Sequence, residues 1–178
     1  MSAINTTYYD SPCGRIILGA IGGELCLCDW AERRNRTTID RRLERLLGAT
    51  MQWVDDDDIL RSASRELNEY FRGERTAFDI PLRMAGTDFQ QRVWHELCRI
   101  PYGETASYAT IAMRLGMPKA VRAVANANGA NAISIFVPCH RIIGSDGTLT
   151  GYAGGLAAKS HLLSLETNSL FTHADTQA

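Results

Sequence analysis

The sequence predicts an α+β fold: a small N-terminal α/β domain, with a short antiparallel sheet and helices, followed by a mainly helical domain. Two patterns and one size argument lead there. Strand-like runs at 8–9, 15–20 and 24–30 are broken by Ser11-Pro12 and Gly22-Gly23, as in a meander or hairpin. From residue 36 onward, apolar residues recur at helical spacing. A chain of 178 residues, 45% hydrophobic and 22% charged, has room for one ordinary domain or a small one followed by a medium one. That composition excludes a disordered tail protein, a collagen-like chain and an integral membrane protein. The expected division is a structural domain over 1–79, a second domain over 80–167 and a flexible tail over 168–178.

Residues 36–47 carry Ile39, Leu43, Leu46 and Leu47 on one helical face and stop at Gly48. Residues 55–72 open on four aspartates and repeat Ile59, Ala63, Leu67, Tyr70 and Phe71. The aspartates suit the helix dipole, although such a run can also hold a metal. A connector over 74–86 leads to Thr87-Asp88-Phe89-Gln90, a capping box opening a helix that ends at Ile100-Pro101. Ser107 can cap the next helix. Gly116-Met117-Pro118 breaks it, and another helix is expected over 119–127 with Pro118 at its first position. Two short helices about a tight turn read as a helix-turn-helix or as an αα-corner. Residues 133–137, Ile-Ser-Ile-Phe-Val, read as a short buried strand leading to Pro138-Cys139-His140-Arg141.

The formal net charge of −1 is unevenly spread. Residues 1–85 hold 12 arginines against 14 acids, whereas 105–145 hold Arg114, Lys119, Arg122 and Arg141 and no acid. Such a strip is either a phosphate-facing surface or a solvated helix face. The five cysteines form no paired framework, and Cys26 and Cys28 lie in an alternating run that suits strand packing better than metal ligation. The apolar stretch at 16–21 is too short for an export signal. A reducing cytoplasm is expected.

Cys139 stands out on chemistry. It follows an apolar run and a proline and precedes His140 and Arg141, and an imidazole or a cation can activate a thiol. A lone cysteine in that place can equally be a buried packing residue. The longer string runs from Asn131 through Pro138-Cys139-His140-Arg141 to Gly151-Tyr152-Ala153-Gly154-Gly155, Lys159 and Glu166. Together with Gly86-Thr87, Val93-Trp94, Ile100-Pro101, Thr105, Ser107-Tyr108 and Pro118 to Val124, it resembles the O6-alkylguanine–DNA alkyltransferases. The likeness is strong from Ile80 to Glu166 and weaker before, and it lacks the cysteine-rich zinc domain of the adaptive-response regulators.

That resemblance implies direct DNA repair. An alkyl group on O6-alkylguanine, or on O4-alkylthymine, would pass irreversibly to Cys139 after the base is flipped out of the duplex. His140 would take the thiol proton through a water, Glu166 would hold the imidazole, Asn131 would brace the turn and Tyr108 would protonate the departing base. Arg122 would fill the vacated stack, with Lys119, Ala123, Arg141 and Tyr108 at the DNA. Backbone groups near Cys139, Ile142 and Ala153 would recognise the base, with Tyr152 packing beside it and Pro138 in the same pocket. Ala132 departs from the proline that many members have after the asparagine. The implied partner is double-stranded DNA carrying O6-alkylguanine, the chain acting as a monomer with no membrane, cofactor or metal. A helix-turn-helix regulator or damage sensor, and a Cys–His hydrolase, are the rival readings; the latter requires an oxyanion site and multiple turnover.

Overall fold

The computed structural model describes the backbone of residues 2–177 and the side chains up to Asn168. The tail expected over 168–178 lies, past Asn168, outside the described side chains. Strands β1 (Ser2–Ser11), β2 (Gly14–Ile21) and β3 (Glu24–Trp30) form the antiparallel meander, with a bulge between Gly19 and Ala20. Helix α1 (Arg36–Leu47) ends at Gly48, whose φ of 58° suits a residue without a side chain. A fourth strand, β4 (Ala49–Trp53), then pairs in parallel with β1, giving the order β3-β2-β1-β4.

Neither β4 nor the full length of β1 was expected, for one physical reason. The buried positions of β1 are Ile4, Thr6 and Tyr9, with Ile4 and Tyr9 in different core clusters on opposite faces, and the buried threonine interrupts the apolar pattern. Thr6 is accommodated by donating from Oγ1 to the carbonyl of Gln52 in β4, at 2.9 Å. β4 itself buries only Ala49 and therefore carries no period-2 signal.

Helix α2 (Asp58–Phe71) begins one turn later than expected. Asp57 is its cap, accepting from the backbone N–H groups of Ile59 (2.9 Å) and Leu60 (3.1 Å). The aspartate run thus serves the helix start. Helix α3 (Asp88–Cys98) carries the expected capping box between Thr87 and Gln90. The two-residue strand β5 (Ala106–Ser107) leads through the Ser107 cap into α4 (Tyr108–Arg114), and α5 (Val121–Gly129) completes the helix-turn-helix. Pro118 is not at the first helical position. The intervening turn is tied by the bonds Met117 N–H to Ala112 O and Ala120 N–H to Met117 O, so the helix starts at Val121.

The run at 133–137 is buried as expected but is not a strand. Ile133 makes one bridge to Cys28, and Ser134 makes one to Val137. The chain folds back on itself, with Phe136 N–H bonded to Ser134 O at 2.9 Å and Ile135 at a φ of 72°. An all-apolar run reports burial, which a buried turn satisfies as well as a strand does. A 3₁₀ turn at Cys139–Arg141 and strand β6 (Ile142–Ile143), parallel to β5, follow; the unforeseen helix α6 (Leu156–Gln177) closes the chain.

One apolar core joins the two halves. Ile16, Leu18 and Cys28 of the sheet and Leu60 and Leu67 of α2 meet Val93, Leu97, Ile111, Val124 and Leu162. A smaller cluster of Ile4, Leu27, Ile39 and Leu43 holds α1 against the sheet. The 151–155 loop presses on the sheet through Gly154, where an added Cβ would lie 2.5 Å from the Trp30 indole. A rigid ring cannot yield that space without repacking. Gly154→Ala is therefore expected to lower the urea-unfolding free energy by about 1–3 kcal/mol; an unchanged midpoint would show that the loop retreats freely.

Candidate active site

Helix ends and short turns bring the expected residues of the second half together. α5 ends at Gly129, and Asn131 follows it. The Asn131 carboxamide donates from Nδ2 to the Val137 carbonyl and accepts the Ile133 N–H at Oδ1, each at 2.9 Å. These two bonds close the 133–137 turn from inside. Val137 then accepts from Cys139 N–H at 2.8 Å around Pro138, whose φ and ψ are −81° and 64°. The thiol is thereby set at the start of the 3₁₀ turn, 4% exposed.

Cys139 and Asn131 line a cavity of about 360 Å³ with Arg33, Tyr108, Ala125, Asn128, Gly129, Gly151, Tyr152 and Ala153. The Tyr108 hydroxyl shares a 2.9 Å hydrogen bond with Thr150 Oγ1. The Thr150 carbonyl in turn accepts from Lys159 Nζ at 3.1 Å, so a buried lysine on α6 anchors the segment facing Tyr108. On the outer side of α5, Arg122 and Ala123 are exposed, as is Lys119 in the turn before it.

Behind the thiol lies a buried polar knot. Glu166 on α6 has no exposed surface and accepts from four donor atoms. His140 Nε2 is 2.8 Å from Oε1 and the Tyr70 hydroxyl 2.9 Å. Arg141 supplies the other two, with Nε 3.0 Å from Oε2 and Nη2 2.9 Å from Oε1. Burial would raise the Glu166 carboxyl, but the bonds and charges of His140 and Arg141 outweigh it and hold the group at about 2. Burial pulls the His140 imidazole down, against the pull of Glu166, so the ring is neutral at neutral pH. An ionised carboxylate can only accept, which places the ring proton on Nε2 and leaves Nδ1, buried and without a protein partner, as the basic atom.

Two expected site residues, Arg141 and Pro138, are placed elsewhere. Arg141 is 7% exposed, and its remaining donor, Nη1, is bonded to the Ile100 carbonyl at 2.7 Å. It neutralises Glu166 and is buried instead of presented on the surface. Pro138 lines a separate cavity with Ile100, Pro101 and Tyr102. Ile142 turns its side chain into the core while its backbone pairs with Ala106.

Sequence reasoning overlooked the contribution of the N-terminal half. Asp29, wholly buried at the end of β3, binds Arg33 Nη1 at 2.7 Å and Arg36 Nη1 at 3.0 Å. Arg33 then donates to the carbonyl of Gly129 at 3.0 Å, and Arg42 donates to that of Ala130 at 2.6 Å. Both arginines thus cap the end of α5 just ahead of Asn131. In sequence they sit in a crowd of arginines that reads as solvated surface. Among the described residues, no group of three or more His, Cys, Asp or Glu side chains is placed to hold a metal.

Comparison with known proteins accounts for almost the whole chain. The DNA-binding domain of 6-O-methylguanine DNA methyltransferase matches residues 88–168, and the ribonuclease-like domain of the same enzymes matches residues 4–84. The chain belongs to the 6-O-methylguanine DNA methyltransferase family. A methylated-DNA–protein-cysteine methyltransferase of Methanosarcina barkeri is 45% identical over 166 residues, covering 92% of this chain and 99% of the relative. One of Mycobacterium tuberculosis is 46% identical over 157 residues, 88% of each chain. The crystal structure of M. tuberculosis OGT in complex with DNA superimposes with a TM-score of 0.77 at 44% identity, over 94% of both chains. The O6-methylguanine-DNA methyltransferase of Pyrococcus kodakaraensis shares the fold at 22% identity, with a TM-score of 0.64.

In this member of the family Cys139 rests as a thiol. Burial pushes Cys139 above its usual value, against the lowering effects of Asn131, Lys159 and Arg33. The other four thiols are raised by burial as well, Cys13 and Cys98 to about 11 and Cys26 to about 12. A thiol whose value is raised stays protonated until the pH climbs past that of an ordinary cysteine. Titration of the thiolate absorbance at 240 nm should therefore show no step below the ordinary value of 9.0. A step near neutrality that vanishes in Cys139→Ser would contradict a protonated resting state.

Proposed function

We propose that the chain repairs DNA by taking the alkyl group of O6-alkylguanine onto its own Cys139, once per molecule. The observation that carries this reading is the convergence of Cys139, Tyr108 and Asn131 on one cavity, beneath a helix that presents Arg122 to the outside. A base within a duplex cannot reach a thiol buried this way, so the damaged nucleotide swings out into the cavity. Arg122 occupies the gap in the stack. Arg114 and Lys119, both exposed, meet the phosphates.

The reaction is one in-line displacement. The Cys139 proton passes through a water to His140 Nδ1, and the S–C bond forms as the bond from the alkyl carbon to O6 breaks. The electron pair released to the purine is met by a proton from the Tyr108 hydroxyl. Glu166 then faces a positively charged imidazolium, which stabilises the proton acceptor without itself gaining the proton. Arg141 contributes indirectly, by keeping Glu166 ionised. Tyr152 and Ala153 form the cavity wall beside the base. The acceptor is the protein's own sulfur and the product a stable thioether, so the step consumes the protein and needs no cofactor. The five unpaired cysteines suit the reducing cytoplasm.

A duplex bearing one O6-methylguanine, incubated with the protein and followed by intact mass, should add a single methyl that maps to Cys139, with one molecule spent per lesion. Transfer that proceeds normally in Cys139→Ala, or one molecule clearing many lesions, would overturn the reading. Arg122 gives a separate check. Arg122→Ala should slow repair of the duplex far more than reaction with free O6-benzylguanine, which requires no extrusion. Equal losses on both substrates would show that Arg122 does not act on the stack.

A further inference from the structure

We infer that Tyr70 is a positioning residue for the transfer reaction: its hydroxyl holds the carboxylate oxygen that faces His140, so the N-terminal half helps to set the proton acceptor. This rests on the proposed function above, in which His140 receives the Cys139 proton. Leu60, Ala63, Leu67 and Tyr70 lie on the buried face of α2, where a phenylalanine would pack as well as a tyrosine. Aromatic neighbours hold the ring, with centroids 5.3 Å away at Phe71, 5.6 Å at Phe78 and 6.3 Å at Tyr102. Tyr70 is 1% exposed, and a hydroxyl taken that deep is unfavourable unless it finds a partner. Its partner is Glu166 Oε1, at 2.9 Å and 96 residues away in sequence. Burial and the adjacent carboxylate raise the phenol well above its ordinary value, so it stays a donor throughout the neutral range.

The place of that donor matters because Glu166 is loaded unevenly. Oε1 receives the Tyr70 hydroxyl and Arg141 Nη2, each at 2.9 Å, and His140 Nε2 at 2.8 Å, whereas Oε2 receives Arg141 Nε at 3.0 Å. Three groups thus compete for the charge of one oxygen, and His140 is the one that can gain a second proton. Every other donor on Oε1 weakens its hold on an imidazolium. The Tyr70 hydroxyl therefore works to keep the ring neutral and Nδ1 free to accept. The charges that face His140 are Glu166 and Lys159 on α6 and Arg141 on its own turn. Cys139 beside it is a thiol, and Tyr70 is the group that reaches the cluster from α2. Against burial, His140 and Arg141 hold the Glu166 carboxyl at about 2, so it stays ionised without Tyr70 and the change falls on the histidine.

The test is Tyr70→Phe, which keeps the ring and removes only the hydroxyl. Single-turnover methylation of Cys139 by a duplex carrying O6-methylguanine is followed by intact mass as a function of pH. In the protein alone, NMR of the ring nitrogens follows the charging of His140, whose signals are assigned by their loss in His140→Gln. Without the competing donor the imidazolium is better stabilised, so the ring charges at a higher pH, and a charged ring cannot take the thiol proton. Both the His140 titration and the acid limb of the rate should move up by about half a pH unit, which slows transfer on that limb about threefold relative to the plateau. A limb and a titration that stay in place, or slowing by one factor at every pH, would show that Tyr70 only packs and overturn the inference. A tyrosine fluorinated beside its hydroxyl at position 70 is a stronger donor in the same ring and should move both curves the opposite way. A shift in the direction of Tyr70→Phe overturns the inference as well. A wild type that gains no methyl overturns the proposed reaction, on which the His140 titration does not depend.

Discussion

Glu166 is a carboxylate without solvent, and the surrounding structure is arranged to let it stay ionised. It joins three parts of the chain: the turn at Cys139–Arg141, the C-terminal helix and, through Tyr70, the second helix of the N-terminal half. Placing one buried negative charge beside a neutral imidazole alone would be costly, and the carboxyl would take up a proton instead. Arg141 prevents this by supplying a full positive charge through a two-pronged contact. The consequence reaches His140. Only an ionised Glu166 fixes the ring proton on Nε2 and turns Nδ1 into the basic atom. Buried ion pairs add little net stability compared with apolar packing, but losing one partner costs about 3–5 kcal/mol. The pair therefore fixes the turn in place more than it stabilises the fold.

On the opposite side of the thiol, the constraint is on the backbone. Ile135 adopts a φ of 72°, a conformation that a β-branched residue avoids, and it does so inside a turn of only a few residues. Such strain persists where neighbouring bonds over-determine it. Here Asn131 bonds the turn on both flanks, Ser134 N–H is bonded to the Cys28 carbonyl at 2.6 Å, and Cys28 N–H is bonded to the Ala132 carbonyl at 2.9 Å. The N-terminal sheet is thus a wall of the site as well as a packing partner. Asp29 extends the same wall by aiming Arg33 at the end of α5.

What the sequence revealed follows from the range of each interaction. Caps and breaks are local, so the Thr87 capping box, the Ser107 cap and the stop at Gly48 were all legible. β4 was hidden because its existence depends on hydrogen bonds to β1, more than forty residues earlier. Arg141 was misread for a related reason. Counting charges along 105–145 treats every cation as free, whereas its partner, Glu166, lies 25 residues later. The ring of residues around Cys139 was accessible through motif resemblance. Arg33 and Tyr70 were not, since each acquires its meaning only once the halves are packed together.

A nucleophile that can be used only once has reason to remain inert until its substrate arrives. A thiolate with a depressed pKa would be open to oxidants and stray electrophiles, and each such event would remove a protein molecule without repairing a lesion. The arrangement here works the other way. Burial holds Cys139 as a thiol and His140 as a neutral base, and the deprotonating pair is ready but not discharged. On the proposed reading, an extruded base brings the electrophilic carbon to the sulfur and the leaving oxygen within reach of a proton donor in the same event. Activation then coincides with substrate capture, which is what stoichiometric chemistry requires. The same burial that makes Cys139 look like an ordinary packing residue in sequence protects it for its single reaction.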